Sequence, residues 1–166
     1  VHGTSGGAIV SLVLLEAPEA IRDCLEHYVS GEFFEELRAR EVLKPHDVLL
    51  KRTLDAVGVT RDGAAARLSG KLVAHTTTFE DGLLRPRNVS LTDFADDATV
   101  FRAVSASCCL DFVGVDVFED GVFHHDGGLS DPLPVDATLP TVEVSILTGA
   151  GVHAAPGAVA AGLGAS

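Results

Sequence analysis

Near its start the chain carries Gly3-Thr4-Ser5-Gly6-Gly7, a G-x-S-x-G pentapeptide that runs straight into the apolar stretch Ala8 to Leu15. These residue types suit one chemistry. A serine used as a nucleophile must sit on a sharp strand-to-helix turn that lifts its hydroxyl clear of the backbone, and flanking glycines relieve the crowding there. A helix opening at Gly6 would also aim unpaired amides and its positive dipole end at charge developing near Ser5. With 17 glycines in 166 residues, such a pentapeptide also arises by chance, so it needs a second element beside it.

The second stretch with chemical content is Asp126-Gly127-Gly128. A strand over Val122 to His125 would deliver Asp126 to a strand end, beside backbone that can be approached closely, which is a setting for a catalytic acid or base. The same three residues also read as an Asp-Gly-Gly turn without chemistry. His124, His125 and Asp126 are consecutive, but neighbouring strand residues point to opposite faces and cannot close on one ion. No other ligand spacing supports a metal, and neither metal nor cofactor is expected. His2, His27, His46 and His75 read as surface or satisfied core residues, Ser11 as packing, and Cys108 and Cys109 as buried thiols acting as small hydrophobes.

The elements that must position these residues follow from periodicity. Pro18 to Ser30 predicts an amphipathic helix, with Ile21, Cys24, Leu25, Tyr28 and Val29 on one face and Gly31 at its end. Phe33, Phe34 and Leu37 suggest a shorter helix with charges on its outer face. Another helix opens at Pro45, carries Leu50, Leu54 and Val57 on one face and closes at Gly58. Arg61 to Arg67 reads as a loop. Lys71 to Phe79 then predicts a strand that turns at Glu80-Asp81-Gly82 and returns over Leu83 to Val89, with Pro86 pushing the partner to an edge. Asp96 and Asp97 start a helix through Val100, Phe101 and Val104 that ends near Ser107. Val113, Val115 and Val117 begin a second hairpin, turning at Glu119-Asp120-Gly121. Val142, Val144 and Ile146 suggest one further sheet strand, and the Ala/Gly-rich residues 149–166 read as a flexible tail.

Length and composition fit one globular domain over residues 1–148, since 166 residues at 46% hydrophobic content can bury a core. Acidic residues outnumber basic ones 24 to 12, so nucleic acid is not an expected partner. Three cysteines make neither a disulfide framework nor a C-x-x-C site, and a reduced, intracellular setting is expected. The longest apolar run falls short of the roughly 18 residues of a membrane span. Methionine is absent and Val1 reads as the end of a strand, so a fragment of a longer protein is expected.

Taken together, Gly3-Thr4-Ser5-Gly6-Gly7, Asp126-Gly127-Gly128 and the following Leu129-Ser130-Asp131-Pro132-Leu133-Pro134 resemble the patatin-like phospholipases. Ser69-Gly70-Lys71-Leu72 with Thr76-Thr77-Thr78, and Ala103 to Cys108, are similar to the strand and helix that this family places before its aspartate. The resemblance spans roughly residues 1–148 and is nearest the family's triacylglycerol-lipase-like branch. It implies a three-layer α/β/α sandwich with a mostly parallel central sheet, lacking here its first strand and its oxyanion loop. It further implies a Ser-Asp dyad in which Ser5 is the nucleophile and Asp126 takes its proton, while Gly3 and Gly7 shape the elbow, Thr4 and Gly6 complete its motif, and Gly127 and Gly128 hold the aspartate loop. The implied substrate is a glycerolipid ester, triacylglycerol or phospholipid, met in the cytoplasm at a membrane or lipid-droplet surface. Two other readings stay open: an α/β-hydrolase triad using His153, and a catalytically weak or inactive lipid-binding or regulatory relative, because the oxyanion loop is absent from this chain; activity is expected of the full-length protein.

Overall fold

The computed structural model describes residues 1–29, 54–55, 58–80, 82, 84–109, 116–117, 121–134, 142–143 and 153–154. Two compact units divide the chain, Val1–Pro132 and Leu133–Ser166. In the first unit a strand β1 (His2–Thr4) leads into helix α1 (Gly6–Glu16), a 3-10 turn (Pro18–Ala20) and helix α2 (Ile21–Val29). Helix α3 (Ala64–Leu68), the strands β2 (Val73–Thr78) and β3 (Arg87–Leu91), helix α4 (Asp97–Ser107) and the strands β4 (Asp116–Val117) and β5 (Phe123–Asp126) follow. The class is α/β.

Helix α1 is apolar almost all round, and that composition calls for burial. Ala8, Leu12 and Val13 are fully enclosed, and Ser11 is buried with its hydroxyl donating to the His2 carbonyl at 3.2 Å, a packing role. Helix α4 starts where Asp96 accepts the Thr99 N–H at 2.7 Å, as its paired aspartates predict. Val100, Val104 and Ala103 on α4 join Leu12, Leu68, Leu72 and Ala74 in one core cluster. Both α1 and α4 pack on β2 and on each other, so they cover the same face of the sheet and form one helical layer.

The sheet is mixed. Strand β1 runs parallel to β2, whereas β2 with β3, β2 with β5, and β5 with β4 are antiparallel. The mostly parallel expectation therefore holds for the β1–β2 pair and the other described pairs correct it: two are hairpins that bring a strand back beside its predecessor, and β5 joins the edge of β2 in the opposite direction. The β2–β3 hairpin forms as expected, although β3 begins at Arg87, just after Pro86, rather than at Leu83. Its only described pairing is with β2, the edge placement Pro86 predicts.

Two other expectations change. Arg61 to Arg67 is not a simple loop, since Ala64–Leu68 is helical. Its cap comes from another helix: Asp97 accepts the Gly63 and Ala65 N–H groups at 2.7 and 2.8 Å. A single sequence window does not reveal a cap borrowed from 34 residues away. In the second unit, β6 (Val142–Glu143) pairs antiparallel with β7 (His153–Ala154), so the suggested strand forms at its described residues while His153 and Ala154 depart from the structureless tail; Val144 and Ile146 lie outside the described residues. Leu54 and Asp55 are helical and Gly58 has φ 71°, in keeping with a helix closed there. The helix suggested around Phe33, Phe34 and Leu37, and the strand positions Val113 and Val115, lie outside the described residues.

Candidate active site

Ser5 stands at the turn between β1 and α1 with φ 56° and ψ −132°, and among the described residues it is the only non-glycine with positive φ. That conformation costs a residue with a side chain about 1–3 kcal/mol, so surrounding contacts must hold it. Three do. The Ser5 N–H donates to Ser107 Oγ at 3.0 Å, and the Ser5 carbonyl accepts from Cys108 Sγ at 3.0 Å and from the Ala8 N–H at 2.9 Å. The turn is so tight that a Cβ on Gly3 would sit 2.5 Å from the Gly7 carbonyl oxygen, which accounts for the first glycine of the pentapeptide.

Asp126 ends β5 and is 1% exposed. Its backbone is fixed first: the N–H donates to the Cys109 carbonyl at 2.7 Å, and the carbonyl accepts from Thr77 Oγ1 at 2.8 Å. Its carboxylate is then divided between two donors. The Gly128 N–H reaches Oδ1 at 2.8 Å as the chain enters a 3-10 turn, Gly127–Leu129, and Ser5 Oγ donates to Oδ2 at 2.7 Å. A charge-assisted bond of this length between a hydroxyl and a carboxylate is among the stronger ones proteins make. No imidazole stands between the two groups.

The pairing arises from how three strands share an edge. His2, Gly3 and Thr4 lie beside Val73, Ala74 and His75, while Asp126 and His125 lie beside Thr76 and Thr77. Strand β1 therefore runs up one side of β2 and β5 runs down the same side, so their C-terminal ends meet between His75 and Thr76. Each chain must turn away at that gap. Ser5 is the residue at which one turns, and Asp126 is the last residue before the other does. Gly127 leaves so close to β2 that any Cβ there would collide with the His75 carbonyl. Thr4 spans the two turning chains by donating from Oγ1 to the Asp131 carbonyl at 3.2 Å.

Burial perturbs the neighbouring titratable groups. Burial, then the charges of Asp126 and Cys109, push the Cys108 thiol well up, so it remains a protonated donor to Ser5. Burial lowers His125, whose ring meets Phe79 edge-on at 5.2 Å. His124, on the opposite side of the strand from His125, has its Nδ1 2.8 Å from Thr76 Oγ1. Among the described residues no group of three or more His, Cys, Asp or Glu is placed to hold a metal ion. His75 is a satisfied core residue: its Nε2 is 3.0 Å from His2 Nδ1 and its Nδ1 is 2.9 Å from Asn88 Oδ1.

The structure thus brings Ser5 and Asp126 together and sets Gly3, Thr4, Gly127 and Gly128 around them. Gly6 and Gly7 open α1 at the exposed side, with free space where a Cβ would stand. Sequence reasoning did not find Ser107, Cys108 or Thr77. Cys108 is more than a small hydrophobe, since its thiol bonds to the Ser5 carbonyl. The available signal was positional: Ser107 and Cys108 end a helix that runs into the strand pair carrying Asp126. His153 belongs to the second unit.

A family model described as patatin-like phospholipase matches residues 1–139. No curated protein matches the chain, and no solved structure does. No helix among the described residues is long and apolar enough to cross a membrane.

Proposed function

From the premise that the chain belongs to the patatin-like phospholipase family, which points to lipid acyl hydrolase activity, we propose that it cleaves fatty-acid esters of glycerolipids with Ser5 as nucleophile and Asp126 as proton acceptor. The single observation that carries this reading is the 2.7 Å bond from Ser5 Oγ to Asp126 Oδ2 at the strained turn. Ser5 Oγ attacks the ester carbonyl carbon while its proton passes to Oδ2. Collapse of the tetrahedral intermediate breaks the bond to the alcohol oxygen, which leaves with that proton, and the acyl group stays on Ser5. A water then gives its proton to Asp126 and attacks the acyl carbon. Release of the fatty acid returns the proton to Ser5 Oγ.

Charge on the carbonyl oxygen needs donors. The Gly6 and Gly7 amides lie in the first turn of α1, where helical geometry leaves N–H groups without an intrahelical partner. Substrate is expected to be triacylglycerol or phospholipid, as in the branch its motifs resemble, presented at a membrane or lipid-droplet surface.

The test is a fluorophosphonate probe together with fatty-acid release from emulsified triacylglycerol and phospholipid vesicles. The full-length protein is expected to label and to turn over. Ser5→Ala should abolish both, and labelling that survives Ser5→Ala sinks the assignment. Asp126→Asn should cut turnover by at least about 10³-fold with the fold retained, and unchanged turnover there removes the dyad. Binding of lipid without Ser5-dependent release would instead indicate a non-catalytic relative.

A further inference from the structure

The nucleophile is held by a residue that belongs to neither motif. Ser107, the last residue of α4, is fully buried, and its hydroxyl touches two backbones. It donates to the His75 carbonyl of β2 at 2.7 Å and accepts the Ser5 N–H at 3.0 Å. A hydroxyl has one proton to give. With that proton committed to His75, the lone pairs of Ser107 are left to face Ser5, so the acceptor direction is set by the sheet. The same His75 peptide is the surface against which Gly127 presses on the other side of the gap. One peptide of β2 therefore locates both halves of the pair, Asp126 through Gly127 and Ser5 through the Ser107 hydroxyl.

We propose that Ser107 is the positioning residue of the nucleophile: its hydroxyl transmits the location of the β2 backbone to the elbow and holds Ser5 in the conformation that aims Oγ at Asp126. Cys108 completes the hold by donating from Sγ to the Ser5 carbonyl, so two consecutive residues grip both backbone polar groups of Ser5. Because the Ser5 N–H is taken by Ser107, that amide is withdrawn from the reacting carbonyl, and the donors remaining at the turn are Gly6 and Gly7. Without the Ser107 hydroxyl, the Ser5 N–H and the His75 carbonyl lose their partner together. The positive-φ turn then loses the contact that offsets its strain.

This inference rests on Ser5 and Asp126 being the reacting pair, and its test separates the two ideas. Amide hydrogen exchange over residues 3–8 is measured in the full chain for wild type, Ser107→Ala, Ser107→Thr and Ser107→Cys, beside the rate of fluorophosphonate labelling and the kcat and KM for fatty-acid release. Ser107→Ala is expected to speed exchange at the elbow and to lower kcat and the labelling rate by about 10²-fold, with KM little changed. Ser107→Thr, which keeps the hydroxyl, should recover most of both. Should the alanine variant not fold, Ser107→Cys, of similar volume but a weaker acceptor, is expected to move exchange and labelling the same way. Elbow exchange equal to wild type in the folded alanine or cysteine variant overturns the proposal, whatever the activity. Faster exchange with wild-type kcat and labelling overturns the positioning role. If wild type shows no Ser5-dependent release, the hydrolase reading fails, and the exchange data alone decide whether Ser107 holds the elbow.

Discussion

At Gly127 the volume that a side chain would need is already filled by the His75 carbonyl, whereas at Gly7 the same volume is open. The two glycines therefore answer oppositely to one substitution. Gly127→Ala must move either the aspartate turn or β2, and it is expected to displace Asp126 from Ser5 and reduce fatty-acid release by about 10²-fold or more. Gly7→Ala in helix α1 should raise thermal stability by about 0.5–1 kcal/mol, because alanine loses less backbone freedom on folding. Melting curves of both variants and the activity of the first check the pair. Thr4 illustrates a third kind of residue. In the pentapeptide it is an arbitrary letter, yet its hydroxyl ties the elbow strand to the Asp131 carbonyl beyond the aspartate.

At the scale of elements, two helices depend on aspartates at adjacent positions that serve different helices. Asp96 caps its own helix α4 through the Thr99 N–H, and the Thr99 hydroxyl, then that N–H, lower the pKa of its carboxyl. Asp97 caps α3 from across the fold. Asp97→Ala is expected to cost about 0.5–2 kcal/mol, read as a lower urea midpoint with turnover retained, since α3 carries no site residue. In the core, Leu12 is fully enclosed on α1, and Leu12→Ala is expected to cost about 2–5 kcal/mol. The periodicity of α4 and of the two hairpins was legible because their apolar positions and turn glycines are local. The α3 helix was not, because the partners of its first amides come from another element. The Ser5–Asp126 pair was legible as two motifs. Its supports were not, since a buried serine at a helix end has no spacing that distinguishes it from Ser105 two residues earlier.

At the scale of the molecule, net charge and pH act on the whole fold. A formal charge of −12 opposes approach to an anionic lipid surface. Hydrolysis of zwitterionic vesicles or neutral emulsions is expected to exceed that of anionic vesicles at low salt, and the gap should narrow as salt rises and screens the repulsion. His125 adds a pH term of definite sign. Burial holds its folded pKa below the unfolded value of about 6.5, so the unfolded chain binds the proton more readily. Stability is therefore expected to fall as pH drops below about 6.5 and to level off beneath the folded pKa. Urea midpoints compared at successive pH values for wild type and His125→Gln should show part of that slope missing in the variant.

The meeting of β1 and β5 end to end beside β2 also has a kinetic meaning. Ser5 and Asp126 are 121 residues apart in sequence, and neither strand end has its counterpart until β2 is already in place beside them. Such distant contacts carry the largest loop-closure cost, and chains dominated by them fold slowly. Competence toward a serine-directed probe should therefore be among the last properties regained when the denatured chain is diluted into buffer, lagging behind helical circular dichroism. The Ser5–Asp126 pair would then act as a built-in reporter of completed folding, because a half-formed chain presents Ser5 apart from Asp126.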